Sequence, residues 1–191
     1  MFNRVAAPSN TSGGSSDTVN WNSLRKLNWN DFKGPPDTLR YFSAETHYVI
    51  TYTYKKSSQL KSPEFQFKIQ CYFEQGRSWA KLKECNNQLL SHEQAHFDIA
   101  ELHTRMFRER INKTQFDQIK YDHQIQTLFS EILLECSQMQ NRFDNDTRFG
   151  ILAEEQNNWI LNIEDALEQY AAYSKIHVFY ESLFKSRRFI K

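Results

Sequence analysis

The sequence predicts an α+β domain, an N-terminal antiparallel β-hairpin or small sheet followed by three long helices. Two patterns carry this reading. Phe65, Phe67, Ile69, Cys71 and Phe73 alternate with Gln66, Lys68 and Gln70, the period of two expected of a strand with one buried face. Further along, Ile125, Leu128, Phe129, Ile132, Leu133, Cys136 and Met139 recur at steps of three and four, the stripe of a helix packed on a core.

The elements follow in order. Residues 1–20 read as a flexible N-terminal tether, with a run of Ser, Gly, Asn and Thr between Ala6 and Asp17. Residues 21–191 read as one domain, since 191 residues bury a single core and are too few for two ordinary ones. Trp21 to Pro36, with Phe32 and the turn Gly34-Pro35-Pro36, is expected to pack onto the core as a lid or brace without a long regular element. Tyr41 to Tyr54 is a strand, with Tyr48, Ile50, Tyr52 and Tyr54 on one face and Val49, Thr51 and Thr53 on the other. The polar turn Ser57 to Pro63 joins it to the alternating strand, which ends at Gly76. No strand pattern follows Ser78-Trp79, so helices are expected over Asn87–Asn112, Gln115–Asn141 and most of Glu154–Lys185, the polar run Asp144 to Arg148 and Gly150 marking the last break.

Composition narrows the function classes. The 24 basic and 23 acidic residues are interspersed and leave a net charge of +1, so there is no electrostatic footprint for nucleic acid and no polybasic membrane patch. The terminal Lys185, Arg187, Arg188 and Lys191 read as a solvated helix end. No apolar run is long enough to insert in a membrane, and Met1 to Asp17 lack the hydrophobic core of a signal peptide. Cys71, Cys85 and Cys136 show no metal-binding spacing and imply no disulfide framework, with one disulfide between two of them left open.

Chemistry concentrates in His92-Glu93-Gln94-Ala95-His96. Inside a helix, residues four apart share a face, so both imidazoles reach one metal ion. Zinc suits neutral imidazole, and a catalytic zinc takes three protein ligands and keeps a position open. Glu93 is expected to act as general base on the water that the zinc activates, giving peptide-bond hydrolysis on a peptide or protein substrate. Leu89, Leu90, Phe97, Ile99, Ala100 and Leu102 surround the motif, which makes a buried helix, and buried histidines need partners.

The third ligand is not given by spacing. Leu102 stands where a metzincin-type motif has histidine. His103 shares a side with His96 but lies about 10 Å further along a straight helix. His47, His123 and His177 depend on the fold, and Glu101, Asp144 and Asp146 are the carboxylate candidates. The alternating strand also offers an edge along which a substrate backbone could add.

The chain resembles a bacterial domain family of uncharacterised function, described as secreted or periplasmic zinc-dependent proteases and common in Bacteroidetes. The resemblance rests on residues 27–35 (LNWNDFKGP), Ser43-Ala44-Glu45-Thr46, Ser78-Trp79 and, most specifically, the run Leu89 to Leu102 (LLSHEQAHFDIAEL). It implies a zincin-like metallopeptidase fold, zinc as cofactor and an exported location, the export signal having been removed. The family carries an aromatic-Asp-x-acid-Thr-x-His-Gly stretch that reads here Phe143-Asp144-Asn145-Asp146-Thr147-Arg148-Phe149-Gly150. Phe149 occupies the position of its histidine, and Asp144 or Asp146 is then the available substitute. The expected function is a zinc-dependent peptidase, with an inactive zincin-like scaffold that binds a protein or envelope component as the alternative.

Overall fold

The structure, a computed structural model, describes residues 17–57, 64–117 and 119–181. Its elements are β1 (Thr18–Asn20), β2 (Ala44–Glu45), β3 (Tyr48–Lys56), β4 (Glu64–Glu74), β5 (Trp79–Ala80), α1 (Asn87–Lys113), α2 (Tyr121–Thr147), α3 (Ala153–Gln169) and β6 (His177–Glu181). The mixed α+β class and the three helices are as the sequence predicts.

The expected hairpin forms, with Tyr48 opposite Phe73 and Ile50 opposite Cys71. It is half of a larger sheet. β1 pairs with one end of β4 and β6 with the other, both antiparallel and both on the side away from β3. β4 is therefore central and offers no free edge to a substrate; the sheet's edges are β3 on one side and β1 and β6 on the other. β2 and β5 form a separate two-stranded sheet.

Phe65, Phe67, Ile69, Cys71 and Phe73 are all buried, so the alternation along β4 marks the face that receives α1. Phe97 of α1 meets Phe73 at 5.9 Å, and Tyr52 of β3 meets both Phe107 and, on α2, Phe129. α1 starts where the Asn86 side chain accepts the Leu89 N–H at 2.8 Å, satisfying a donor that the first helical turn leaves open.

Several boundaries differ from the sequence reading: the first strand starts at Tyr48 rather than Tyr41, the second helix at Tyr121 rather than Gln115, and three further differences have a clear physical reason. Thr18–Asn20, counted with the tether, are a strand whose alternation is too short to register as a pattern. The third helix ends at Gln169 rather than near Lys185, and the chain returns to β4 as β6, with Val178 opposite Phe67. Five residues of mixed polarity fit helix and strand periods equally, so pairing decides. α2 continues through the polar run to Thr147, because Phe143 and Thr147 are fully buried and extend its inward stripe. The tether before Asp17, most of the Ser57–Pro63 turn and the basic C-terminal run lie outside the described residues.

The Trp21–Pro36 segment does act as a brace. Trp21 Nε1 donates to Asp98 and the Leu27 N–H to the Gln94 side chain, both on α1, while the Gly34 N–H donates to the Ser78 carbonyl. A Cβ at Gly34 would lie 2.9 Å from that same carbonyl oxygen, so only glycine fits. Cys71, Cys85 and Cys136 are all free thiols. Among the described residues no helix is long and apolar enough to cross a membrane.

Candidate metal centre

His92 and His96 lie on the buried face of α1, one turn apart, with their Nε2 atoms 3.2 Å from each other. Phe143 of α2 fixes both rings, stacking on His92 at 4.6 Å and meeting His96 edge-on at 5.1 Å. Because α2 extends past Phe143, the next residue, Asp144, projects its carboxylate between the imidazoles. Its Oδ1 is 3.2 Å from His92 Nε2 and 3.0 Å from His96 Nε2.

These separations suit a metal. Ligands about 2.0–2.1 Å from a tetrahedral zinc stand about 3.3 Å from one another, close to the 3.0–3.2 Å that separates each pair here. Among the described residues His92, His96 and Asp144 are the group of three with donor atoms close enough to share one ion. Two imidazole nitrogens and a carboxylate oxygen form a donor set that zinc accepts in catalytic sites.

The trio is electrostatically tight. Burial opposes charge on His96, but the hydrogen bond and negative charge of Asp144, helped by the charge of Glu93, raise its pKa to about 9. Burial likewise opposes the Asp144 carboxylate, yet the hydrogen bonds from His92 and His96 hold its pKa well below the usual carboxylate range.

Glu93 faces the same cleft and is 3% exposed, with its Oε2 buried and unpartnered. Its backbone carbonyl accepts from Thr46 Oγ1 at 3.2 Å, tying the motif to the chain between β2 and β3. The cleft encloses about 60 Å³, with Phe42, Ala44, Glu45 and Tyr48 on the strand side and Ser137, Gln140 and Phe149 opposite. A buried carboxylate oxygen without a partner is costly in a purely structural setting and expected where a proton is to be handled.

The remaining candidates fall elsewhere. Glu101 is spent on Arg105 and Arg108. Asp146 accepts from Trp159 Nε1. His103 turns back to the Ile99 carbonyl and His47 faces Glu45, while His123 and His177 lie on α2 and β6 away from the group. Phe149 reaches the rim of the cleft, 40% exposed, and packs edge-on against Tyr41.

Gln140 is a participant that the sequence reading missed. Its Oε1 accepts from His96 Nδ1 at 2.5 Å and its Nε2 donates to the His96 carbonyl at 2.8 Å. The available signal was its position, one turn before Asp144 and one turn after Cys136 on a buried stripe where a polar residue needs a partner.

A family model described as "Bacterial protein of unknown function (DUF922)" matches residues 18–150, a span that includes β1 to α2 and every residue of the cluster. No curated protein and no solved structure matches the chain.

Proposed function

The chain belongs to this bacterial family of unknown function, and from that premise we propose that it is a zinc-dependent peptidase with His92, His96 and Asp144 as metal ligands and Glu93 as general base. The observation that supports this most is the convergence of His92, His96 and Asp144 from two helices beside an unpartnered buried carboxylate oxygen.

Zinc, when bound, supplies a Lewis acid that polarises a carbonyl and acidifies water. The protein's own groups do the rest. His92 and His96 offer Nε2 lone pairs, and Gln140 keeps the His96 proton on Nδ1 so that Nε2 is free to donate. Asp144 adds one negative charge, which offsets part of the charge of a divalent ion. Glu93 takes a proton from the attacking water at its free Oε2 and passes it to the departing amine. β3, one of the sheet's edge strands, contributes Tyr48 to the cleft wall, along which an extended peptide would lie. A zincin-like ancestry and an exported location, secreted or periplasmic, go with this reading through the sequence resemblance.

The alternative, an inactive scaffold, draws on one observation, the phenylalanine at 149 where the resembling family has histidine. Elemental analysis and a casein digest separate the two. The peptidase reading expects about one zinc per chain, loss of that zinc in His92→Ala, and cleavage that stops with chelator. Glu93→Gln is expected to keep its zinc and lose cleavage. Cleavage retained in Glu93→Gln would refute the assignment of the base, and a wild type that takes up no zinc would leave the scaffold.

A further inference from the structure

Each histidine of the cluster faces a glutamine from another helix, but only one of the two meetings is closed. His96 Nδ1 donates to Gln140 of α2. His92 Nδ1 is buried and has no hydrogen-bond partner, and Gln156 Oε1, in the first turn of α3, is also buried and without a partner. His92 and Gln156 are 3% and 2% exposed, so water does not readily satisfy either atom.

These two atoms belong to side chains that flank one point. A Cβ built on Gly150 would lie 3.2 Å from His92 Cγ and 3.3 Å from Gln156 Oε1. The orientation of the Gln156 amide is dictated by its other end. Its Nε2 donates to the Gln88 carbonyl at 2.9 Å, a contact only the nitrogen can make, which leaves the oxygen as the amide atom beside the Gly150 point that His92 also borders. The Gln88 side chain in turn donates to the Gly150 carbonyl at 2.6 Å, so the turn, the amide and the α1 backbone form one unit.

We propose that Gln156 is a positioning residue for His92. The inference rests on the metal-centre reading above. An imidazole that gives its Nε2 lone pair to a metal carries its proton on Nδ1, and that proton needs an acceptor. Gln156 Oε1 is the acceptor assigned to it here, a bond not yet closed, as Gln140 Oε1 already is for His96. Two glutamines from two helices thus set the tautomer and ring angle of the two histidines, and the pairing uses up two of the three unpartnered buried side-chain atoms among the described residues. The third, on Glu93, is left for proton transfer.

The test is zinc affinity, measured by competition with a chromophoric chelator, for the wild type, Gln156→Met and Gln156→Glu. Both substitutions remove the donor to the Gln88 carbonyl, glutamate also placing a buried charge there, but only glutamate keeps an acceptor at His92. Gln156→Met is expected to bind zinc about 10–100-fold more weakly, with Gln156→Glu close to wild type. Equal weakening of both variants, or of neither, would overturn the proposal while leaving the metal centre standing. A wild type that binds no zinc would remove both. If Gln156→Met does not fold, nitrogen-15 NMR of the zinc-loaded wild type decides, because two exchange-protected imidazole Nδ1–H protons are expected and a His92 proton exchanging freely contradicts the pairing.

Discussion

His96 and Gln140 are joined by two hydrogen bonds, one from the imidazole Nδ1 to the amide oxygen at 2.5 Å and one from the amide nitrogen to the histidine's own carbonyl at 2.8 Å. A side chain that grips both ends of another residue fixes its rotamer and its tautomer together. Gln140→Leu keeps the volume roughly and removes both bonds. It is expected to weaken zinc binding about 10–100-fold, read by chelator competition, while far-UV circular dichroism stays that of the wild type. Unchanged affinity would deny Gln140 its role.

In the sequence Asp144 is a candidate third ligand and Phe149 stands where the resembling family has histidine, and in the fold the two do different things. Asp144 touches both histidines, whereas Phe149 packs on Tyr41 at the rim. Asp144→Ala is therefore expected to abolish stoichiometric zinc, and Phe149→Ala to keep it. The reverse outcome in an elemental analysis of the two variants would show that the donor set has been misassigned.

The metal-free protein is expected to show a specific dependence on pH. Burial disfavours charge on His96, but Asp144 outweighs it and holds the folded-state pKa at about 9, above the ordinary 6.5. A pKa raised on folding means that the folded state binds the extra proton, so this stabilisation is complete below about pH 6.5 and is lost as pH rises through about 9. Urea midpoints measured in chelator between these limits should fall for the wild type and fall less for Asp144→Asn. Zinc affinity should rise over the same window, since the ion displaces that proton. Parallel midpoint curves for the two proteins would rule out the coupling.

Away from the site, Arg108 is 1% exposed and donates to the Glu101 carboxylate and to the carbonyls of Ile69 and Tyr173. Arg108→Met leaves those carbonyls unmet and Glu101 with Arg105 alone. Removing one partner of a buried pair typically costs about 3–5 kcal/mol, so chelator-treated Arg108→Met should unfold at a markedly lower urea concentration. A loss below about 1 kcal/mol would mean that water enters and replaces the guanidinium.

The sequence shows His92, Glu93 and His96 directly, because a spacing of four within a helix is a local property that no tertiary contact has to supply. Asp144 was visible only as one of several carboxylates, since the polar run around it looks like the end of a helix. It stays helical because Phe143 and Thr147 are buried on either side of it. Gln140 and Gln156 are ordinary helix formers in composition, and their importance arises from which histidine lies across from them. The hairpin was legible from its alternation. β6 was not, because its stability comes from pairing with β4, some hundred residues away in the chain.

Between α2 and α3 the backbone turns through Arg148, Phe149 and Gly150, with φ values of 50°, 57° and 83°. Two of these are not glycine, and a left-handed conformation costs such residues about 1–2 kcal/mol each. The cost is met locally: the Phe149 N–H donates to the Asp144 carbonyl at 2.8 Å and the Leu152 N–H to the Thr147 carbonyl at 2.9 Å. This turn therefore works as a ruler between the carboxylate at the end of one helix and the amide at the start of the next. Loops commonly tolerate changes in length, but here one added residue would carry Gln156 out of step with His92. Length variation among natural variants should be scarce between Thr147 and Ala153 and freer in the connection between Thr114 and Lys120.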